Sequence, residues 1–164
     1  MMAMTKYRYI VVEGPIGVGK TSLARRLSER MEAELLLERP EQNPFLARFY
    51  QDMQRWALPT QLFFLFQRMS QLRELAQLDL FARITIGDFL LDKDPLFARL
   101  TLASEELALY QQIYDTLKLQ APRPDVVIYL HAAPEVLADR VRRRAADFER
   151  GIGMEYLAAL SEQY

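Results

Sequence analysis

A buried strand, an amphipathic helix and a second strand are predicted at the start of the chain. Residues 7–13 form a run of apolar and β-branched positions, which favours a strand. A helix follows over about residues 20–31, because apolar side chains recur there at four-residue steps on one face: Leu23, Leu27 and Met31. Residues 33–38 form the second apolar run, and this strand ends in a carboxylate, Glu38.

The same two patterns alternate along the rest of the chain. Strands are predicted over residues 83–90 and 125–130, the latter a near-continuous apolar run typical of a strand buried on both faces. A short helix is predicted behind Asn43 as N-cap, with Pro44 at its first position. Five further helices are predicted over these stretches: residues 58–80, 96–102, from a Ser104 cap to about 117, from Pro134 onward, and 154–164.

The turn between the first strand and the first helix is rich in glycine. Residues 14–21 read GPIGVGKT, which matches the pattern GxxxxGK[ST] in its strand–loop–helix context. Backbone N–H groups of such a loop cradle phosphate oxygens, its lysine reaches the terminal phosphates, and its threonine hydroxyl binds Mg²⁺. We therefore predict ATP and Mg²⁺ as ligands, with these residues at the nucleotide: Gly14, Pro15, Ile16, Gly17, Val18, Gly19, Lys20, Thr21 and Ser22.

With this loop, the alternation of strands and helices predicts an α/β fold of the P-loop NTPase type. Its parallel sheet of four strands lies between two helical layers, as a three-layer sandwich, in a single domain over residues 1–164.

Composition narrows the possible functions. Hydrophobic residues make up 51% of the 164 residues, enough for a folded core. A net charge of −1 argues against a general nucleic-acid or membrane-surface binder, so neither is expected as a partner. The absence of cysteine excludes disulfides and thiolate metal sites. No apolar window is long enough to cross a bilayer and the N-terminus is too short for a signal peptide, so we expect a cytoplasmic protein.

Several polar residues stand where a ligand is expected. Ligands of open α/β sheets lie beyond the carboxyl ends of strands, which makes Glu38 a candidate, with a surface glutamate as the alternative. Gln61 and Arg68 are seven residues apart on one side of the predicted 58–80 helix, where an amide and a guanidinium can contact a base. Considered alone, Gln61 or Arg68 would more often be an ordinary polar residue than a ligand contact. The same helix is apolar on more than one side, which fits either a core helix or a dimer interface.

An arginine-rich stretch follows the last predicted strand. Residues 140–150 contain five arginines, which predicts a lid over ATP at about residues 140–151, since guanidinium groups stabilise a migrating phosphoryl group. The alternative is a solvated basic helix face. His131, the single histidine, is at a strand end where a structural role is more common than a catalytic one.

The segments that carry these features resemble the deoxynucleoside kinase family, especially its bacterial deoxyadenosine/deoxyguanosine kinase branch. They occur in the family order and cover nearly the whole chain: YIVVEGPIGVGKTSLA, LLLERPEQNPFLARFYQD, LPTQLFFLFQR, GDFLLDKDPLFA, RPDVVIYL and the arginine-rich stretch that ends in GIGMEYLAAL. The phosphate loop alone is shared by many families, whereas its combination with NPFLARFY and TQLFFLFQ is much more specific.

The resemblance implies a role for each matching residue. It implies that Glu38 is the general base at the nucleoside 5′-hydroxyl, and that Tyr50 and Glu149 hold the 3′-hydroxyl. It places Gln61, Arg68 and Asp94 at the base, and Asp88 beside Thr21 at magnesium.

Catalysis is assigned in the same way to Glu38, Lys20 and a lid arginine. Arg144 matches that arginine best, with Arg140 and Arg142 at the nucleotide, and the register among these residues and Arg143 stays open.

Two departures from the family pattern stand out. The family commonly has an acid–Arg–Ser triplet after the third strand, where this chain reads Asp88-Phe89-Leu90; Lys93 and Arg39 are the two candidates to replace the missing arginine. The chain also stops at Tyr164, before the family's fifth strand and adenine-covering loop, so we expect a shortened domain with an exposed sheet edge.

The sequence is therefore interpreted as an ATP-dependent deoxynucleoside 5′-kinase, with a purine favoured through the branch resemblance. A homodimer through the 60–80 helix is expected. Two alternatives stay open: a nucleoside monophosphate kinase of the thymidylate kinase type, and a shortened nucleotide-binding protein without catalysis.

Overall fold

A four-stranded parallel sheet forms the centre of the protein. The structure is a computed structural model that describes residues 6–78 and 83–144. The four strands in this part of the chain are β1 (Tyr9–Glu13), β2 (Glu34–Leu36), β3 (Thr85–Gly87) and β4 (Val126–Tyr129). They lie in the order β2, β3, β1, β4, and all three pairings are parallel, as predicted.

Six α-helices accompany the strands within the same residues: α1 (Lys20–Met31), α2 (Leu46–Gln51), α3 (Met53–Leu78), α4 (Asp94–Thr101), α5 (Ser104–Lys118) and α6 (Pro134–Arg144). Short 3-10 turns at Pro40–Gln42 and Leu91–Lys93 precede α2 and α4. Of the helices in the described part, none has the length and apolarity that a membrane span requires.

The central strand β1 separates two apolar cores because its side chains alternate between the two faces of the sheet. Tyr9 and Val11 pack with buried side chains of α2, α3, α4 and α5. Ile10 and Val12 pack with Ala24 of α1. The sheet therefore lies between two helical layers, and the predicted α/β sandwich is confirmed.

Helix α3 begins at Met53, so the predicted start near Leu58 is wrong. Asp52 caps the true start: its backbone carbonyl accepts from the Trp56 N–H at 3.2 Å and its Oδ1 accepts from the Arg55 N–H at 3.3 Å. Pro59, the second residue of the predicted helix, lies inside the actual helix, where it removes one backbone donor.

Other boundaries also differ from the sequence prediction. The Asn43 Oδ1 accepts from the Phe45 N–H at 3.0 Å, but Pro44 lies in the turn before α2. Ser104 is the first residue of α5 and Ala103 takes the cap position, with no side-chain cap. All four strands are shorter than predicted. The predicted helix over residues 154–164 lies outside the described residues.

Strand β4 is not buried on both faces. Val127 and Tyr129 are 45% and 46% exposed, while the residues between and beside them are half-buried. Strand β4 is the last strand in the order of the described sheet. The burial of its side chains therefore depends on which elements cover the sheet there, and an apolar run alone does not reveal that.

The core position of Leu65 in α3 gives a direct test of the packing. Its side chain is fully buried, so Leu65→Ala is expected to lower the free energy of unfolding by about 2–5 kcal/mol. Leu119→Ala is the matched control, because Leu119 is 82% exposed and the change should stay within about 0.5 kcal/mol. Chemical denaturation measures both; similar losses for the two variants would contradict the packing described here.

Candidate active site

The phosphate loop connects β1 to α1 and packs closely against its neighbours. Gly17 has φ +85°, and a Cβ there would lie 2.9 Å from the backbone oxygen of Leu137 in α6. A Cβ at Gly14 would lie 2.4 Å from the backbone oxygen of Leu130. Only glycine allows this approach, so these two residues fix the loop against the end of β4 and against α6.

Lys20, the first residue of α1, is held on the inner side of this loop. Its Nζ donates to the Gly14 carbonyl at 2.8 Å and lies 3.9 Å from Oε1 of Glu13. Burial lowers the pKa of Lys20 to about 8, and the positive charge of Lys93 acts in the same direction. The ammonium group is therefore close to the loop amides that would hold a phosphate.

Asp88 joins the phosphate loop to the end of β2. Its Oδ2 accepts from the Thr21 hydroxyl at 2.6 Å, and its Oδ1 accepts from the Glu38 backbone N–H at 2.7 Å. Burial raises the pKa of this carboxyl, although both hydrogen bonds oppose the rise. One side chain thus holds the nucleotide end and the acid end of the site together.

Thr21 and Asp88 fit the oxygen donors that Mg²⁺ prefers. A hydroxyl and a carboxylate lie within one hydrogen bond of each other, and both residues line the same cavity. Among residues 6–78 and 83–144, no three histidine, aspartate or glutamate side chains form a metal cluster.

The Glu38 carboxylate faces two cations. Its Oε1 accepts from Nη2 of Arg68, and its Oε2 lies 3.3 Å from Nζ of Lys93. Burial alone would raise the pKa of Glu38, but Lys93, Arg68 and Lys20 together hold it below its usual range. These cations therefore favour the ionised carboxylate, which can accept a hydrogen bond from a hydroxyl.

Arg68 connects Glu38 to the part of the site where the nucleobase is expected. Its Nη1 donates to Oδ1 of Asp94, and its guanidinium lies 4.8 Å from the centre of the Phe64 ring. Burial raises the pKa of Asp94 to about 6, against the opposing charge of Arg68. Asp94 is fully buried behind Arg68 and is not among the residues that line the cavity, so its contact with the cavity runs through Arg68.

One cavity of about 630 Å³ connects these parts. The cavity extends from the phosphate loop to α3. These candidate site residues line it: Ile16, Gly17, Val18, Gly19, Lys20, Thr21, Ser22, Glu38, Tyr50, Gln61, Arg68, Asp88 and Arg140. Gly14, Pro15 and Arg142 are not part of the lining.

Only one of the proposed lid arginines reaches the loop within the described residues. Nη1 of Arg140 donates to the Val18 carbonyl at 3.0 Å, whereas Arg143 pairs with Asp139 on the surface at 3.0 Å. Arg142 is exposed. The Arg144 side chain and the whole of Glu149 lie outside the described residues, so their roles stay predictions.

Two charged residues at the site were not assigned to it from the sequence. Glu13 is 3% exposed; its Oε1 accepts from the Gly14 N–H and its Oε2 from the Leu90 N–H, each at 2.8 Å. Lys93, named only as a possible arginine replacement, is 2% exposed and lines the cavity. A charged residue at the end of an apolar strand, directly before the phosphate loop, was the available signal for Glu13.

The fold and the site define a P-loop phosphotransferase: a nucleotide loop and an ionised carboxylate share one cavity. Comparison with known proteins gives the family. The family model described as deoxynucleoside kinase matches residues 10–164, and the chain belongs to the deoxynucleoside kinase family.

Individual relatives agree with this assignment. A deoxyguanosine kinase of Bacillus subtilis is 35% identical over 159 residues, which cover 95% of this chain and 76% of the relative. A deoxyadenosine kinase of Lactobacillus acidophilus is 27% identical over 86% of this chain and 68% of its own length. The structure of deoxyadenosine kinase from M. mycoides with the products dCMP and dCDP bound has a TM-score of 0.84 and 26% identity, and covers 94% of this chain and 80% of that one.

Arg140 and Arg143 offer a matched test of the lid contact. Arg140→Met removes the guanidinium at the phosphate loop and should weaken ATP binding roughly tenfold to hundredfold, the size of one charge-assisted hydrogen bond. Arg143→Met should leave ATP affinity unchanged, since its side chain is 80% exposed. Calorimetric titration with ATP compares them, and an equal effect of both substitutions would exclude a specific role for Arg140.

Proposed function

We propose that this deoxynucleoside kinase transfers the γ-phosphoryl group of ATP to the 5′-hydroxyl of a purine deoxynucleoside. The observation that carries the proposal is the link through Asp88, which bonds to both the Thr21 hydroxyl and the Glu38 backbone. It fixes Glu38, two residues beyond β2, next to the phosphate loop, across one continuous cavity. A phosphate donor and a hydroxyl acceptor therefore have adjacent places.

In the proposed reaction, Glu38 accepts the proton of the 5′-hydroxyl while the oxygen attacks the γ-phosphorus. The bond from that phosphorus to the β-phosphate oxygen breaks, and ADP leaves. Lys20 and the loop amides stabilise charge on the transferring group, and Arg140 adds a guanidinium from α6. Thr21 and Asp88 would hold Mg²⁺, which when bound would neutralise charge on the phosphates.

The far end of the cavity is suited to a nucleoside. Tyr50 lines it beside Phe49, with 5.2 Å between ring centres, and is proposed to contact the sugar. Gln61 is 3% exposed there. Its amide can pair with adenine N6 and N7, which suits a purine base. The Arg68 guanidinium, whose two terminal nitrogens contact Glu38 and Asp94, lines the same cavity. The relatives named as deoxyguanosine and deoxyadenosine kinases support this choice.

The monophosphate kinase alternative finds less support. An acceptor phosphate would need a further cation in the cavity. Arg39 is exposed and is not among its lining residues, and Arg68 is already shared between two carboxylates.

We further propose a homodimer in the cytoplasm, formed through α3. Phe66 of this helix is 53% exposed, although α3 also supplies core residues. Neither nucleic acid nor membrane is expected to bind, in line with the near-neutral net charge of −1.

Phosphate transfer to a nucleoside tests the proposed reaction. Wild-type protein with ATP should phosphorylate deoxyguanosine or deoxyadenosine faster than deoxycytidine, thymidine or thymidine monophosphate. Glu38→Gln should lower kcat by ~10²–10⁴-fold, because the general base is lost, while nucleoside binding is largely retained. Glu34→Gln, in strand β2 just before Glu38, is the control, since the Glu34 side chain is 58% exposed. No turnover with any acceptor rejects the kinase reaction, and normal turnover of Glu38→Gln excludes it as the base.

Sedimentation equilibrium tests the dimer. The wild-type chain should have the mass of two chains, and Phe66→Glu should have the mass of one, because a carboxylate would be buried in the interface. Leu119→Glu, at an exposed position after α5, should leave the dimer intact. A monomeric wild type, or a dimeric Phe66→Glu, is the contrary result.

A further inference from the structure

The burial of Lys93 requires an explanation. Its side chain is 2% exposed, although a lysine is almost never fully buried unless it is paired. Its Nζ lies 3.3 Å from Oε2 of Glu38 and 3.8 Å from Oε2 of Glu13. The ammonium is therefore between two carboxylates, at the wall of the nucleotide cavity.

Glu13 provides a fixed counter-charge for this lysine. Both of its oxygens accept backbone N–H groups, one from Gly14 in the phosphate loop and one from Leu90 after β3. The side chain is 4% exposed. Because the backbone holds the Glu13 carboxylate, the position of Lys93 follows from the position of the loop.

The turn that carries Lys93 fixes both oxygens of Glu38. The 3-10 turn Leu91–Lys93 ends with the Lys93 N–H bonded to the Leu90 carbonyl at 3.1 Å. Lys93 contacts Oε2 directly, and the next residue, Asp94, holds the Arg68 group that contacts Oε1. Two consecutive residues therefore determine how this carboxylate is oriented in the cavity.

Of the two candidates to replace the missing arginine, Lys93 and Arg39, Lys93 is the one that contacts Glu38. Phe89, at the position of the missing arginine, is fully buried in the apolar core. Arg39 is exposed and donates no described contact to Glu38, while Lys93 contacts it directly.

We propose that Lys93, anchored by Glu13, is a positioning residue for phosphoryl transfer that holds the Glu38 carboxylate toward the attacking hydroxyl. This inference rests on the proposed kinase function and concerns the rate of the chemical step. Lys93 acts through Glu38, whereas nucleoside affinity depends on Gln61, Arg68 and Tyr50. Loss of Lys93 should therefore lower kcat and leave the binding of the nucleoside almost unchanged.

The test compares steady-state kinetics and calorimetric binding of the full chain with deoxyguanosine. Lys93→Met keeps the length of the stem but removes the charge, and should lower kcat about 10²-fold, the scale of a misplaced reacting group. KM and Kd for deoxyguanosine should change less than about threefold. Lys93→Arg keeps the charge and should recover at least half of the loss on a logarithmic scale. Lys118→Met is the control, with a 46% exposed side chain that should show wild-type kinetics.

Other results would overturn the proposal. An unchanged kcat in Lys93→Met, a loss confined to KM, or a Lys93→Arg variant as slow as Lys93→Met each contradicts it. If Lys93→Met fails to fold, Lys93→Gln, which removes the charge but keeps a polar side chain, is measured instead: reduced kcat with retained Kd supports the proposal, and wild-type kcat overturns it. If wild type itself transfers no phosphate, the proposed function fails, which is a separate outcome.

Discussion

A series of buried charges of alternating sign holds the active site together. It runs from the phosphate loop to the base end of the cavity, in this order: Lys20, Glu13, Lys93, Glu38, Arg68 and Asp94. None of these side chains is more than 17% exposed. Each buried ion carries a desolvation cost of several kcal/mol, which is offset only when its partners are in place. The phosphate loop and the Glu38 carboxylate are therefore linked through Glu13 and Lys93.

The parallel sheet explains why these charges meet. Glu13 ends β1, Glu38 lies just beyond β2 and Asp88 follows β3, so the carboxyl ends of adjacent strands deliver three acids to one edge. A ligand at that edge faces the N-terminus of α1 as well, where backbone N–H groups favour an anion. The fold thus brings negative side chains to the same place as a phosphate site, and Lys20 and Lys93 compensate the charge between them.

Structural features that are determined by residues close together in the sequence could be predicted from it. The bounds of α1 follow from apolar side chains at four-residue steps, and the glycine loop is recognisable from its spacing alone. The start of α3 was missed although Asp52 caps it, and the predicted start placed Pro59 in the first turn, where proline is favoured.

Long-range packing decided what the sequence left open. The sequence offered Lys93 and Arg39 equally as replacements for the missing arginine. Only the position of the turn before α4 brings Lys93 to Glu38. Glu13 acquires its role from Leu90, which is 77 residues further along the chain. Exposure of Tyr129 in β4 likewise depends on the layer beside the sheet rather than on the strand's own pattern.

The most direct test is a crystal structure with deoxyguanosine and a non-hydrolysable ATP analogue bound together. The account predicts that the nucleoside O5′ lies ~2.6–3.2 Å from a Glu38 carboxylate oxygen and ~3–3.5 Å from the γ-phosphorus, in line with the bond that breaks. A nucleoside bound with its O5′ turned away from Glu38, or outside the cavity that contains the phosphate loop, would contradict it.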